Sequence, residues 1–229
     1  LVLRAARLFR ERTGIQGGAS FRLIKRIPAR AGLGGGSADA AAALAALERL
    51  YGRRLEPQAR LTMARALGAD VPFALRGGTA LGLGRGDQLT QLSLARPFRA
   101  VIAFPGWRVS TATAFAQIDR RKFGLTGWNA KLRFARSWRF GRIKPEQALG
   151  LGNTFEFALG ARTADFVSLR ARLRAAGLRH PTMTGSGSAV FGILAPGFPA
   201  ARFARRFKGA ERWLVVRSMQ SGLRRRTSV

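Results

Sequence analysis

Four glycines fall within five residues, at Gly32, Gly34, Gly35 and Gly36, and a strongly helix-forming run begins directly after them. The segment reads Pro28-Ala29-Arg30-Ala31-Gly32-Leu33-Gly34-Gly35-Gly36-Ser37-Ala38-Asp39, and the stretch before it, Phe21 to Ile27, has the pattern of a strand. Glycine lets backbone N–H groups turn inward and approach an anion closely, and the helix that follows aims its positive end at the same place. Such a nest suits a di- or triphosphate, with the Ser37 hydroxyl placed to donate to a phosphate oxygen or to reach a metal ion. No Lys-Ser/Thr pair follows the glycines, so this is not a Walker A loop, and the spacing fails the dinucleotide G-x-G-x-x-G pattern. The plainer alternative is a flexible loop with an ordinary Ser cap.

Around this loop the chain alternates helices and strands. From Ser37 a helix is expected to about Tyr51, with Ala40, Ala43, Leu44, Leu47 and Leu50 at one-face spacing and Gly52 as its stop. Pro57 opens another that closes at Gly68. The chain begins at Leu1, not methionine, in an Arg-rich amphipathic helix with Leu1, Ala5, Leu8 and Phe9 on one face. Such a start can imitate an organelle-targeting segment, but is read here as a domain already under way, with further residues expected upstream. Five glycines between residues 77 and 92 suggest hairpins, and Leu92 to Pro97 reads as a boundary. This gives an N-terminal domain over 1–94 and a C-terminal one over 95–229. In the second, Phe98 to Phe104 reads as a buried strand and Asp165 to Ala176 as a helix ending at Gly177. Strands near Thr182 and from Ala189 to Leu194, a helix from Ala200 to Phe207, and a strand from Trp213 to Val216 complete a split βαβ pattern, an α+β sandwich. The tail at Arg224 to Arg226 is expected to fray.

Composition removes several classes of function. The 229 residues include no cysteine, which excludes disulfides, thiol nucleophiles and Cys-based zinc sites, and His180 alone cannot make a multi-histidine site. Charges interrupt every apolar run short of a membrane span, so a soluble, cytoplasmic protein is expected, with no membrane partner. The net charge is +30, from 41 Lys and Arg against 11 Asp and Glu. Such a surface attracts polyanions. Between 118 and 145, basic residues such as Arg120, Lys131 and Arg139 alternate with Phe123, Trp128, Phe134, Trp138 and Phe140. That interleaving can stack and neutralise single-stranded nucleic acid. The preferred reading is a solvated face with its aromatics turned inward, and no zinc-finger or RNP-type signature accompanies the stretch.

Two further segments carry chemistry. In Gly68-Ala69-Asp70-Val71-Pro72-Phe73, Asp70 stands just past a helix end, in an apolar setting before a Pro turn. It can be a general base or orient a hydroxyl nucleophile, or else be a turn aspartate bonded to its own backbone. In Met183-Thr184-Gly185-Ser186-Gly187-Ser188-Ala189-Val190-Phe191-Gly192, hydroxyls and glycines suit either a pocket-lining hairpin that braces a phosphate loop or a simple tight turn.

Taken together, the runs Lys25 to Ala42, Leu67 to Phe73 and Met183 to Gly192 resemble the three signatures of the GHMP small-molecule kinases. Gly77-Gly78-Thr79-Ala80, Gly84-Arg85-Gly86-Asp87, Val109-Ser110-Thr111 and Asn153-Thr154-Phe155-Glu156 extend the likeness in order along the chain. The resemblance implies the α+β GHMP kinase fold, an N-terminal domain like ribosomal protein S5 domain 2, lacking its first strands, followed by a ferredoxin-like α/β sandwich. It implies ATP bound through Pro28, Ala29, Arg30, Ala31, Gly32, Leu33, Gly34, Gly35, Gly36, Ser37 and Ala38, with Mg²⁺ and Ser37 as a possible protein oxygen on it. Asp70 matches the family's catalytic aspartate. Gly185, Ser186 and Gly187 would support the site from the second domain, and Phe115 falls where an aromatic meets a cytosine ring. The branch it resembles most phosphorylates the 2-hydroxyl of 4-(cytidine 5′-diphospho)-2-C-methyl-D-erythritol, a cytidine diphosphate-linked polyol, in non-mevalonate isoprenoid synthesis. A homoserine or mevalonate type of kinase, or an Arg-rich remnant that binds nucleic acid, are the alternatives. The sequence departs from the family at Ala38, at Asn153 to Glu156, and in having no match to the family's opening strand and its catalytic lysine.

Overall fold

A computed structural model describes residues 1–120 and 142–219. The densest part of the basic and aromatic stretch, and the Arg224 to Arg226 tail, lie outside the described residues. The chain divides into two compact units, one of residues 1–29, 34–91 and 219–229, the other of residues 30–33 and 92–218.

The first unit is built on helices. α1 (Val2–Thr13) ends at Gly14, whose left-handed φ of 72° closes its last turn on the Arg10 carbonyl. α2 (Gly35–Leu50) starts two residues before the expected Ser37, and α3 (Pro57–Leu67) has its proline in the first turn. α4 (Val71–Arg76) is a short helix that the sequence concealed, because Pro72 reads as a turn yet is compatible with a first helical turn. Phe9 of α1 is fully buried against the alanine and leucine face of α2, with Met63, Ala64 and Leu67 of α3 and Val71 of α4 in the same core. Alanines at 40, 41 and 43 let the neighbouring helices approach α2 closely. The Phe9 and Tyr51 rings stack at 6.1 Å, and the Tyr51 hydroxyl donates to the Gly18 carbonyl at 2.6 Å.

The strand expected over Phe21 to Ile27 does not form: the chain there has no regular secondary structure. A strand needs a neighbour to satisfy its N–H and C=O groups, and among the described residues no strand pairs with it. Leu23 and Ile24 are more than half exposed in consequence. Beyond α4, β1 (Thr79–Leu83) and β2 (Gln88–Leu94) lie side by side, as the glycine-rich stretch implied, and the end of β2 pairs in parallel with β4 (Arg142–Ile143).

The second unit is an α+β layer. β3 (Arg99–Phe104), β5 (Leu178–Met183), β6 (Val190–Leu194) and β7 (Arg212–Arg217) form a sheet in the order β5-β6-β3-β7, every pairing antiparallel. Val101 and Ala103 stand opposite Val215 and Trp213, which fixes one apolar face. That face packs on Phe166, Leu169 and Leu173 of a helix over Thr163–Ala175 and on Phe203 of another over Ala200–Arg206. Arg172 pairs with Glu211 through both guanidinium nitrogens, tying the longer helix to the start of β7. Two elements here escaped the sequence reading, α5 (Thr111–Arg120) and α6 (Pro145–Gly150); the two helices just described become α7 and α8. No described helix is long and apolar enough to cross a membrane.

Candidate active site

The glycine loop is held at two ends by different means. Its first half, Arg30 to Leu33, lies against the turn between β5 and β6. The Ala189 N–H donates to the Ala31 carbonyl at 3.1 Å, and the Thr184 hydroxyl donates to the Gly32 carbonyl at 2.9 Å. Gly32 has φ of 73°, and a Cβ there would overlap the Thr184 carbonyl oxygen and approach Gly187 at 2.9–3.0 Å. Only glycine allows this proximity of two backbones. From the other side, a Cβ on Gly185 would meet the Gly32 carbonyl oxygen at 2.9 Å, so the two glycines are matched. The turn is itself closed by bonds from Thr184 N to Ala189 O (2.9 Å) and Gly187 N to Thr184 O (3.0 Å). Ser186 shares a 2.8 Å hydrogen bond with Thr111 at the start of α5.

The second half of the loop enters α2. Gly34 takes a left-handed φ of 64° as the residue before the helix, and its carbonyl receives the Ala38 N–H at 2.9 Å. No side chain caps this helix start and no acidic residue occupies its first turn. The first amides of an α-helix have no intrahelical acceptor, so those of Gly35, Gly36 and Ser37 are donors with a positive dipole behind them. Donors of this kind can receive an anion, and the uncapped start differs from the ordinary Ser-capped loop. Beside it stands Lys25, ion-paired with Asp39, its ammonium 3.7 Å from where a Cβ on Gly35 would lie. The sequence reading missed this pair, since residues 14 apart carry no local signal of contact.

Asp70 occupies the N-cap position of α4, is exposed, and makes no side-chain hydrogen bond to that helix. The alternative of a turn aspartate bonded to its own backbone is therefore not what the fold displays. Its backbone is anchored nonetheless: the Asp70 carbonyl accepts from Ala74 N at 3.0 Å, and neighbouring Val71 is buried in the core that α2 supplies. α4 packs along α2, the helix whose first residue ends the glycine loop. Among the described residues no three acids or histidines gather as a metal cluster. A magnesium ion on this chain would thus rely on nucleotide phosphates and water, with few protein oxygens, which suits its usual coordination in phosphoryl-transfer sites. Ser37 lies in the first turn of α2.

Phe115, on α5, is 53% exposed and meets Phe155 edge to face at 4.9 Å. The fold thus groups Arg30 to Leu33, Gly185 to Gly187 and Phe115 in one unit, and Gly34 to Ala38 and Asp70 in the other. On the far side of Met183 to Gly185 lies a recess of about 410 Å³, bordered by Asn153, Phe155 and Leu149.

Comparison with known proteins agrees with this arrangement. Residues 1–78 match the model of the GHMP kinases N terminal domain. A 4-diphosphocytidyl-2-C-methyl-D-erythritol kinase of Pelotomaculum thermopropionicum is 38% identical over 217 residues, covering 94% of this chain and 74% of the relative. The Thermus thermophilus protein of the same name is 42% identical over 202 residues, covering 84% and 66%. One from Leifsonia xyli is 47% identical over 122 residues, 53% of this chain and 40% of its own length. Among solved structures, a 4-(cytidine 5′-diphospho)-2C-methyl-D-erythritol kinase superposes with a TM-score of 0.72 at 36% identity, covering 93% of this chain and 76% of that one. A homoserine kinase from Cytophaga hutchinsonii gives 0.77 at 21% identity, covering 96% and 76%, a likeness of fold alone. At 38% identity over nearly the whole chain, with the N-terminal family model matched and the fold shared, the chain belongs to the 4-diphosphocytidyl-2-C-methyl-D-erythritol kinases, a branch of the GHMP kinases.

Proposed function

We propose that this chain transfers the γ-phosphoryl group of ATP to the 2-hydroxyl of 4-(cytidine 5′-diphospho)-2-C-methyl-D-erythritol, a step of non-mevalonate isoprenoid synthesis. The amides of Gly35 to Ser37 and the dipole of α2 bind the polyphosphate, and Lys25 adds a positive charge beside them. The remaining loop residues, from Pro28 to Leu33 and Ala38, shape the nucleotide cradle. Asp70 accepts the proton of the acceptor hydroxyl as its oxygen forms a bond to the γ-phosphorus. The bond from that phosphorus to the β–γ bridging oxygen breaks, and ADP leaves. Mg²⁺ bound to the phosphates, with Ser37 as a protein ligand, would offset the charge that gathers on the transferred group. Phe115 offers a ring face for the cytosine, and Gly185 to Gly187 fix the first half of the loop. Residues 1–94 and 95–229 serve in this reading as the N- and C-terminal kinase domains of a cytoplasmic enzyme.

One observation carries the reading: a helix start without a cap or acid, reached through a loop whose glycines are matched to a second glycine turn. Phosphoryl transfer asks mainly for positioning and charge neutralisation, and these parts are sufficient. The test is ADP release with the cytidine diphosphate-linked acceptor, homoserine and mevalonate compared side by side. Turnover of the first alone is expected. Turnover of either other acceptor in its place would overturn the assignment. Asp70→Asn is expected to lower turnover by about 10²–10⁴-fold while ATP affinity stays within about threefold, the range for loss of a general base. An equal loss of both would make Asp70 a structural residue.

A further inference from the structure

Two side chains of one short segment converge on the turn that holds the glycine loop. The segment is Asn153 and the 3₁₀ turn Thr154–Ala158. The Asn153 amide nitrogen donates to two carbonyls at once, Met183 at 2.7 Å and Gly185 at 2.8 Å. Its amide oxygen accepts the Phe155 N–H at 2.9 Å, so donors and acceptors on all sides fix which way the amide points. Three residues on, one Glu156 oxygen accepts both the Thr182 hydroxyl at 2.5 Å and the Met183 N–H at 2.9 Å. The other oxygen takes Arg170 of α7 at 3.3 Å, and the carboxylate is only 14% exposed. Between them, Phe155 supports the Phe115 ring.

We infer that Asn153 and Glu156 are positioning residues for nucleotide binding: they form a brace that sets the Met183–Gly187 backbone and, through Thr184, the first half of the phosphate loop. The physical reason is that Asn153 bonds the carbonyls on both sides of Thr184, adding side-chain restraint to the turn's own backbone bonds. A turn with glycines at 185 and 187, both at positive φ, has little intrinsic restraint on its backbone. Such a turn has wide conformational freedom, whereas the approach of the Thr184 carbonyl to Gly32 is too close to admit a Cβ between them. Asn153 supplies two donors to carbonyls on both sides of Thr184, and Glu156 fixes the strand end that leads into it. The chain of bonds therefore runs from Arg170 to Glu156, to Met183, to Thr184 and to the Gly32 carbonyl. Phe155 lets the same segment hold the aromatic on α5, so one element serves the phosphate loop and the Phe115 ring together.

Asn153→Asp tests this with almost no change of shape. Aspartate keeps the acceptor for Phe155 N–H but sets an oxygen against two carbonyls. Only the nucleotide part of the prediction rests on the kinase reading; the backbone part does not. Amide hydrogen exchange on the full chain is expected to quicken at least about tenfold in peptides covering 182–188 and 30–34, while α1 to α3 stay unchanged. The ATP KM is expected to rise about tenfold, the cost of two hydrogen bonds, with kcat reduced less. Glu156→Gln is expected to act in the same direction, more weakly, since it retains one acceptor. Unchanged exchange at 30–34 in both variants overturns the brace, as does acceleration spread evenly over the whole second unit. If the unaltered chain binds no ATP but the exchange pattern appears, the kinase reading fails and the brace stands.

Discussion

Replacing three glycines of one loop by alanine, one at a time, should give three different outcomes. At Gly36 the backbone is helical, and an added Cβ meets only the Leu1 methyl at 3.4 Å. Alanine there is expected between neutral and about 0.5 kcal/mol stabilising, through helix propensity. At Gly34 the space is open but φ is 64°, so the cost is the left-handed conformation alone, about 1–2 kcal/mol. At Gly32 that same cost applies, and the Cβ also overlaps the Thr184 carbonyl oxygen. The obstacle is backbone held from both sides, so the loop must leave the turn. It then loses the bonds from Thr184 to Gly32 and from Ala189 to Ala31, about 1 kcal/mol each. The sum is about 3–4 kcal/mol, or a fall in melting temperature of about 10 °C for a chain this size. Thermal unfolding followed by circular dichroism, with ATP affinity measured in parallel, reads the series. Equal losses at all three positions, or a Gly32→Ala protein as stable as Gly36→Ala, would refute the close approach of loop and turn.

Two other outcomes follow from single side chains. Phe115→Ala is expected to raise the KM for the cytidine-bearing acceptor about tenfold, the loss of one base stack, and to leave the ATP KM unchanged; steady-state kinetics with each substrate varied would show it. Arg172 holds the Glu211 carboxyl below its ordinary range, chiefly through their hydrogen bonds. Its contribution to stability is thus full above the unfolded carboxylate pKa and lost as pH falls through the lower folded value. Glu211→Gln should lower the melting temperature by about 1–3 °C at pH 7, since solvent reaches the pair from the Arg172 side, 41% exposed against 15% for Glu211, and the gap should close in acid.

The helices were legible because their signals are local. Pro57 and Gly68 mark both ends of α3, and the alanine and leucine spacing of α2 shows its buried face. The glycine loop and the Thr-Gly-Ser-Gly turn were legible as pieces, but not as partners, because the Thr184–Gly32 bond spans 152 residues. α4 was hidden by Pro72, which is read as a breaker yet fits a helix start. The strand over Phe21 to Ile27 shows the opposite limit. Apolar pattern expresses a tendency, and a strand exists only where another backbone satisfies it. Asn153 and Glu156 drew attention only through resemblance, since their work is done on residues about 30 positions away.

The charge of the chain, which first suggests a polyanion-binding surface, bears on the site through its acids. Eleven carboxylate side chains share the chain with 41 cations, so a carboxylate near the surface has every chance of capture by an arginine. Among the described residues six are so engaged, Glu48, Asp87, Glu146, Glu156, Asp165 and Glu211, and Asp39 pairs with Lys25. Asp70 is not, among the described residues, although it is exposed and sits one short helix away from Arg76. A carboxylate clasped by a guanidinium is a poor proton acceptor, because the cation favours its charged form. In the proposed reading Asp70 takes a proton from the substrate hydroxyl, which asks that its carboxylate be free of such a clasp, and at the N-cap of α4 it makes no side-chain bond to that helix. The same excess of positive charge that would disable a careless carboxylate favours the arrival of ATP and a nucleoside-diphosphate acceptor, both of them anions. In the proposed reading charge and site then act in one direction: attraction is spread over the surface, while Asp70 stays out of the ion pairs formed among the described residues.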